Sequence, residues 1–373
     1  MKKKIFLITT VPEVFITIFS GQAKFLSKFY DITLISSKID HMSSLSEIAE
    51  KEGVKYFCVD MHRGISPLKD VIAIYKLSRY LRAEKPDIVH SFTPKAGLVS
   101  AIASFITRIN SRVHTFTGLI FPTAKGVKKQ VLKFFDRLVV SLNTHIVCEG
   151  RGVWGQLESS GISSNKFRII GNGNVAGVDC EYFSSSNALE DKSFVKPHGK
   201  VYIYVGRLNK DKGINELVKA FVHLEKSNLL VMVGAEDSTL PVEKNIMDTI
   251  KNEENIIYLG FQKDVRAYMQ FSDYLVLPSY REGFPNVLLQ AGAMGLPCIV
   301  TDVPGSNEVI SKYYNGWIVE PNSVDSLLEA FRQSLSLSDM EYQKYSHNAR
   351  CNVLSKYERS YYYSKLKSFY DEI

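Results

Sequence analysis

Short runs of β-branched and other apolar residues, each followed by a longer stretch with helical periodicity, recur along almost the whole chain. That alternation constrains the fold more than any other feature. In the first half the candidate strands are 4–10, 32–36, 55–59, 88–91, 112–117, 145–148 and 167–170. Helical patterns separate them; over 68–83 apolar residues fall at Val71, Ile72, Ile74, Tyr75, Leu77 and Leu81. A strand that is apolar throughout needs cover on both faces, and helical crossovers supply it, so the pattern predicts a parallel sheet between helical layers. The pattern breaks at Ser184-Ser185-Ser186-Asn187 and a charged stretch ending at Pro197-His198-Gly199. It then restarts, with candidate strands at 201–205, 229–233, 256–259, 274–277, 298–301 and 317–319. The expectation is an α/β chain of two Rossmann-like, doubly wound parallel-sheet domains, 1–183 and 184–355, facing a cleft at the carboxyl ends of their strands. A Tyr- and Phe-rich helix, 356–373, is expected to cross back to the first domain.

Composition narrows the class. At 373 residues, two domains of ordinary size are expected. The start, Met1-Lys2-Lys3-Lys4-Ile5-Phe6-Leu7-Ile8, has a charged and then apolar order, but the apolar stretch stops at Thr9-Thr10 and Pro12. That is too short for a secretory leader and reads as a buried first strand. No apolar run approaches the roughly 20 residues of a membrane span. Cys58, Cys148, Cys180, Cys298 and Cys351 are odd in number and scattered, which argues for reduced thiols in the cytoplasm and against a zinc site or disulfide framework. The net charge of +7 is unevenly placed: residues 1–171 hold 25 Lys/Arg against 13 Asp/Glu, a net of +12, and the remainder nets −5. The first half is therefore expected to meet phosphorylated substrate or an anionic membrane. Nucleic acid is not expected, because no helix-turn-helix, zinc-finger, RRM or KH signature accompanies the charge.

Two motifs carry chemistry. Val205-Gly206-Arg207-Leu208-Asn209-Lys210-Asp211-Lys212-Gly213 follows a strand and opens a helix. Gly206 lets the backbone turn, and Arg207 and Lys212 set two cations beside the positive end of a helix, which suits a diphosphate. Solvated charges on a surface turn are the alternative. Pro278-Ser279-Tyr280-Arg281-Glu282-Gly283-Phe284-Pro285-Asn286-Val287 is a second strand end, loop and helix start. Pro285 suits the first helical turn, and Glu282 could accept hydrogen bonds from sugar hydroxyls or serve the helix dipole.

Together with Ala293-Met294-Gly295-Leu296-Pro297, these residues resemble glycosyltransferase family 4. His90-Ser91-Phe92-Thr93-Pro94-Lys95-Ala96-Gly97 and His114-Thr115-Phe116-Thr117-Gly118 resemble the family's N-terminal lobe, particularly in bacterial enzymes that build surface polysaccharides. The resemblance implies the GT-B fold, a nucleotide-sugar donor, retention at the anomeric carbon, and no metal or other cofactor. The chain indeed lacks an Asp-x-Asp triplet. It further implies that Arg207 and Lys212 neutralise the leaving diphosphate and that Glu282 contacts the sugar. Gly206, Gly283, Phe284, Pro285, Asn286 and Val287 would line the donor. Where the family has a second Glu reaching the ribose, this chain has Gln290, which can bond a hydroxyl without charge. Thr117 stands where the family often has a His before the glycine, and Thr10-Val11-Pro12-Glu13-Val14 replaces a glycine-rich loop. On the acceptor side His90, Lys95, His114, Thr117 and Gly118 are the candidates. Retention without a carboxylate nucleophile implies a front-face substitution in which the departing phosphate helps deprotonate the acceptor.

Lys125, Lys129, Lys133 and Arg137 recur every four residues beside Val127, Val131, Phe134, Phe135 and Leu138. They predict a basic helix at a membrane surface, where a lipid-phosphate acceptor would be found, with a core-packed helix as the alternative. The expectation is transfer from a nucleotide diphosphate sugar, UDP favoured because it is common in the family, to a polyprenyl-diphosphate-linked saccharide. The expected location is the cytoplasmic face of the inner membrane. A sugar-nucleotide epimerase of the same architecture and a silent partner subunit are the competing readings.

Overall fold

The computed structural model describes residues 2–38, 44–62, 64, 66–184, 186 and 196–373, without the side chain of Thr123. Of the segment where the pattern breaks, residues 185 and 187–195 lie outside the described residues. The chain divides into two compact units, Met1–Ala176 with Ser360–Ile373, and Gly177–Arg359. The boundary read from the break in the strand–helix pattern, 183/184, falls seven residues beyond the first of these divisions. The chain passes between the units twice, and the two passages touch. Val178 N–H donates to the Tyr357 carbonyl at 2.9 Å, and Arg359 N–H to the Val178 carbonyl at 2.9 Å. A Cβ on Gly177, whose φ is +64°, would lie 2.7 Å from the Arg359 Cα, so this contact needs glycine.

The first unit holds β1 (Lys4–Ile8), β2 (Asp31–Ser36), β3 (Lys55–Cys58), β4 (Ile88–Ser91), β5 (Ser111–Phe116), β6 (His145–Cys148) and β7 (Phe167–Arg168). All are parallel, in the order β3-β2-β1-β4-β5-β6-β7. The second holds β8 (Val201–Val205), β9 (Leu229–Val233), β10 (Ile256–Tyr258), β11 (Tyr274–Leu277), β12 (Cys298–Thr301) and β13 (Gly316–Val319), again parallel, ordered β10-β9-β8-β11-β12-β13. Each predicted strand is present, with ends shifted by a residue or two. The central strands are apolar on both faces because both faces are covered: Ile5, Phe6, Leu7 and Ile8 are buried, as are Leu275, Val276 and Leu277.

In each sheet the strand order reverses once, between β1 and β4 and between β8 and β11. There the loops leaving adjacent strands part to opposite faces and open a crevice at the strand carboxyl ends. The Arg359–Glu372 helix completes the core of the first unit with Tyr362, Tyr363, Leu366 and Tyr370. Tyr30 Oη donates to Asp371 Oδ1 at 2.6 Å, and Tyr363 Oη to the Ser20 carbonyl at 3.0 Å.

Candidate active site

Both motifs lie at the reversal point of the second sheet. β8 and β11 are neighbours, with Tyr202 opposite Tyr274 and Ile203 opposite Leu275, so the loops that follow them emerge side by side. Gly206 ends β8, and its N–H reaches the Val233 carbonyl at 2.9 Å. Its own carbonyl points at Gly234, where a Cβ would stand 1.8 Å away. The two glycines let the backbones after β8 and β9 touch. Gly213, at φ +67°, plays the same part toward β11: a Cβ there would meet the Pro278 carbonyl at 2.0 Å. It also starts the Ile214–Phe221 helix, whose Ile214, Leu217, Val218 and Phe221 pack into the core.

These contacts fix where the charged groups stand. Lys212 Nζ lies 2.6 Å from Glu282 Oε1, and both side chains are largely shielded, at 22% and 10% exposure. Arg207 is open to solvent, with Nη1 2.8 Å from Asp237 Oδ2. Asp237 also accepts from Asn209 Nδ2 at 3.1 Å, and from Thr239 N at 3.0 Å and Oγ1 at 2.6 Å. The Thr239 hydroxyl and then the Asn209 amide hold its carboxyl down at about 2. Asn209 is buried, and its Oδ1 accepts from Lys212 N–H at 3.1 Å, so Asp237, Asn209 and the Lys212 backbone form one hydrogen-bonded chain. Arg281 Nε to Asp211 Oδ2, at 3.0 Å, ties the two loops again. Burial, with a smaller contribution from Glu282, keeps the Tyr204 phenol protonated; its Oη donates to the Arg207 carbonyl at 2.7 Å.

The rest of the second motif forms the wall. Gly305, at φ +81°, admits the Gly283 carbonyl, which a Cβ would meet at 2.1 Å. Phe284 is buried, its ring centroid 5.5 Å from that of Tyr357. Pro285 is the residue before the Asn286–Ala293 helix, with extended backbone (φ −72°, ψ 113°), where the first helical turn was expected. Proline's locked φ suits both positions, and boundaries of this kind shift by a residue. The helix directs its positive end at the loop, with Val287 half-buried on the core and Gln290 one turn after Asn286 on a partly exposed face.

The first-unit candidates separate. His90 is fully buried on β4, with Nδ1 2.6 Å from Tyr370 Oη and Nε2 2.7 Å from Thr115 Oγ1. His114 is buried on β5, with Nδ1 2.9 Å from Ser91 Oγ. Its ring fills the space a side chain on Gly97 would take, 2.4 Å from the Cβ position. Burial lowers both imidazoles, His114 to about 3, so both are neutral. The two histidines expected on the acceptor side therefore serve the core, because their rings point between strand and helix. Lys95 Nζ pairs with Asp70 Oδ2 at 2.6 Å, and Thr117 Oγ1 donates to the Phe92 carbonyl at 3.1 Å. Lys95, Asp70 and Gly118 line a cavity of about 120 Å³ with Leu119, Phe135 and Asp136. Burial among these apolar groups lifts the Asp136 carboxyl to about 7.

The basic stripe needs correction. Lys125 caps the Gly126–Leu142 helix and is exposed, as is Arg137, but Lys129 and Lys133 are half-buried, and Lys133 lies 6.0 Å from the Phe121 ring centroid. A step of four residues advances about 40° beyond a full turn, so four such residues drift around the helix instead of forming one outer face. Asp237, Asn209, Gly234 and Asp136 were not singled out in the sequence. The run Glu236-Asp237-Ser238-Thr239 follows a predicted strand end, a usable signal, but that β9 borders β8 is not visible in one dimension.

Residues 186–351 match the model for glycosyl transferases group 1, and residues 29–173 that for a glycosyl transferase 4-like domain. The chain is 29% identical over 377 residues to the capsular polysaccharide biosynthesis glycosyltransferase CapM of Staphylococcus aureus, covering 99% of this chain and 97% of that one. It is 28% identical over 314 residues, 81% of this chain and 79% of the relative, to the UDP-Gal:alpha-D-GlcNAc-diphosphoundecaprenol alpha-1,3-galactosyltransferase of Escherichia coli. The fold resembles the Anabaena protein Alr3699/HepE solved in complex with UDP, with TM-score 0.80, 16% identity and full coverage of both chains. Two doubly wound units of this kind define the GT-B class of glycosyltransferases. Within that class, the chain belongs to glycosyltransferase family 4.

Proposed function

We propose that this glycosyltransferase moves a sugar, with retention and without a metal, from a UDP-sugar to a polyprenyl-diphosphate-linked saccharide in the building of a surface polysaccharide such as capsule or O-antigen. The observation that carries the reading is the Lys212–Glu282 pair, 2.6 Å apart where the two loops leave adjacent strands, with Arg207 joined to the same loop through Asp237 and Asn209. An incoming diphosphate gives Lys212 a second anion. Lys212 and Arg207 then stabilise the charge that grows on the leaving phosphate, and Glu282, released from its partner, accepts from hydroxyls of the donor sugar. The positive end of the Asn286–Ala293 helix faces the same group, and Gln290 serves the ribose through its amide. The leaving phosphate takes the acceptor proton on the same face of the sugar. The absence of an Asp-x-Asp triplet supports the metal-free step, since cationic side chains then carry the diphosphate charge.

The names of the S. aureus and E. coli relatives support a capsular or lipid-diphosphate acceptor, and the UDP complex of the Anabaena protein supports the donor nucleotide. On the acceptor side the reading rests on Lys95 and Gly118, which line the cavity of the first unit, with Thr117 next to Gly118 in the chain. Among the described residues no helix is long and apolar enough to cross a membrane. Peripheral attachment at the cytoplasmic face, with the exposed Lys125 and Arg137 toward anionic lipid, fits the basic first half. Incubation with radiolabelled UDP-sugars, with and without a polyprenyl-diphosphate saccharide, tests the whole reading. Acceptor-dependent transfer that survives excess EDTA is expected. Conversion of the UDP-sugar without acceptor would identify an epimerase, and loss with EDTA restored by Mg²⁺ would refute the metal-free step.

A further inference from the structure

The Pro67–Glu84 helix is apolar on two sides. Ala73, Leu77 and Leu81 are buried against the first unit. On the other side Leu68, Val71, Ile72 and Tyr75 stand in water at 82%, 64%, 54% and 65% exposure. Their spacing of three, four and seven residues puts them on one face over two turns. Contiguous apolar faces of this kind mark an interaction surface. Lys69 and Lys76, both exposed, run along one flank; the exposed Arg79 and Arg82 continue the same face toward the helix end. The acidic groups of this helix are engaged elsewhere, Asp70 with Lys95 at 2.6 Å and Glu84 with Lys4 at 3.4 Å. The Pro94–Ile106 helix packs on this helix and on the Gly126–Leu142 helix, so the three form one layer. In that layer Val127 and Phe134, seven residues apart, are also exposed.

We infer that Leu68, Val71, Ile72 and Tyr75 form a bilayer-insertion face, with the first two turns of the Pro67–Glu84 helix lying in an anionic lipid surface and Lys69, Lys76, Arg79 and Arg82 at headgroup level. The charge pattern selects this occupant. Apolar residues flanked by Lys and Arg, with no exposed carboxylate between them, match an acyl layer beneath anionic headgroups. A second copy packed about a two-fold axis would set these cations against their own like. The inference deepens the membrane attachment proposed above, which rested on the Gly126–Leu142 helix, by assigning the apolar contact to a different element. It places the cavity bounded by Asp70, Lys95 and Asp136 at the lipid-facing layer, where a lipid-borne diphosphate saccharide arrives.

The test is cosedimentation with vesicles of phosphatidylethanolamine and phosphatidylglycerol, at low and high salt. The combined variant Leu68→Gln, Val71→Gln, Ile72→Gln and Tyr75→Gln alters exposed helix positions only. Its vesicle affinity is expected to fall at least about tenfold, at high salt as well as low, because the lost contact is apolar. Its turnover of a water-soluble, short-chain diphosphate saccharide should stay at the wild-type value. In an otherwise native chain, Ile72→Trp should give blue-shifted emission that brominated acyl chains quench. Vesicle binding unchanged in the combined variant, while Gln at Lys125, Lys129, Lys133 and Arg137 abolishes it, would overturn this inference and leave the membrane reading standing. A wild-type chain that ignores the vesicles overturns both. A wild-type dimer that the combined variant converts to monomer, with vesicle binding intact, assigns the face to a second copy instead.

Discussion

Arg207 and Lys212 are five positions apart, yet each is held by a carboxylate from a different loop, Arg207 by Asp237 after β9 and Lys212 by Glu282 after β11. Such preorganised cations contribute most where charge develops, so losing one should raise the barrier more than it weakens donor binding. Arg207→Ala and Lys212→Ala are each expected to lower kcat by at least about 100-fold, with a smaller change in donor KM, in initial-rate assays over a donor series. The double variant should fall short of the product of the two losses, because both act on one diphosphate. A loss confined to KM would make the pair a docking site. Glu282→Ala should cripple turnover while leaving the thermal unfolding profile intact, and activity within about threefold of wild type would remove Glu282 from the site. At this scale the positions of Arg207, Lys212 and Glu282 in loops after strand ends were legible, because the strands before them were. Asp237 was not, since its meaning depends on which strands are neighbours.

The pair β4 and β5 shows what an element conceals. Both strands carry a histidine, and His114 is pressed onto Gly97 of the Pro94–Ile106 helix between them, with the imidazole held near a pKa of about 3 by burial. In the unfolded chain it would titrate near about 6.5, so below that pH the unfolded state binds the extra proton and stability falls as pH falls. At pH 5 this one group should cost about 2 kcal/mol, and the buried His90 acts in the same direction. Thermal unfolding followed from pH 7.5 to 5 should therefore show a decline that is shallower in His114→Gln. An equal slope in both would place the acid sensitivity elsewhere. From the sequence a histidine at a strand end is more often a core group than a ligand to substrate, but the sequence does not show which. For His90 the partner that decides the matter, Tyr370, is 280 residues away. The strands themselves were legible because continuous apolar runs leave a parallel sheet little freedom. The outer face of the Pro67–Glu84 helix was not, because a helix apolar on both sides has the right period whichever side packs.

The whole molecule is two units, and the chain crosses from one to the other twice, after Ala176 and after Arg359, so the first unit is assembled from residues 1–176 and 360–373. Removing residues 360–373 takes Tyr362, Tyr363, Leu366 and Tyr370 out of its core. At about 1.5–3 kcal/mol for each buried side chain, the loss rivals the whole stability of a domain, typically about 5–15 kcal/mol. Calorimetry of the truncated chain should show the transition of the second unit alone, with the first unit cut rapidly by protease; two native-like transitions would refute this dependence. The same discontinuity governs the order of events during synthesis. A growing chain exposes its first sheet early, but His90 and the core around it wait for residues 360–373, whereas the second unit is complete before they are made. Domains usually mature in the order of translation. In this chain the part made second is the first able to finish, and the nascent first unit keeps an uncovered apolar face until residues 360–373 are made.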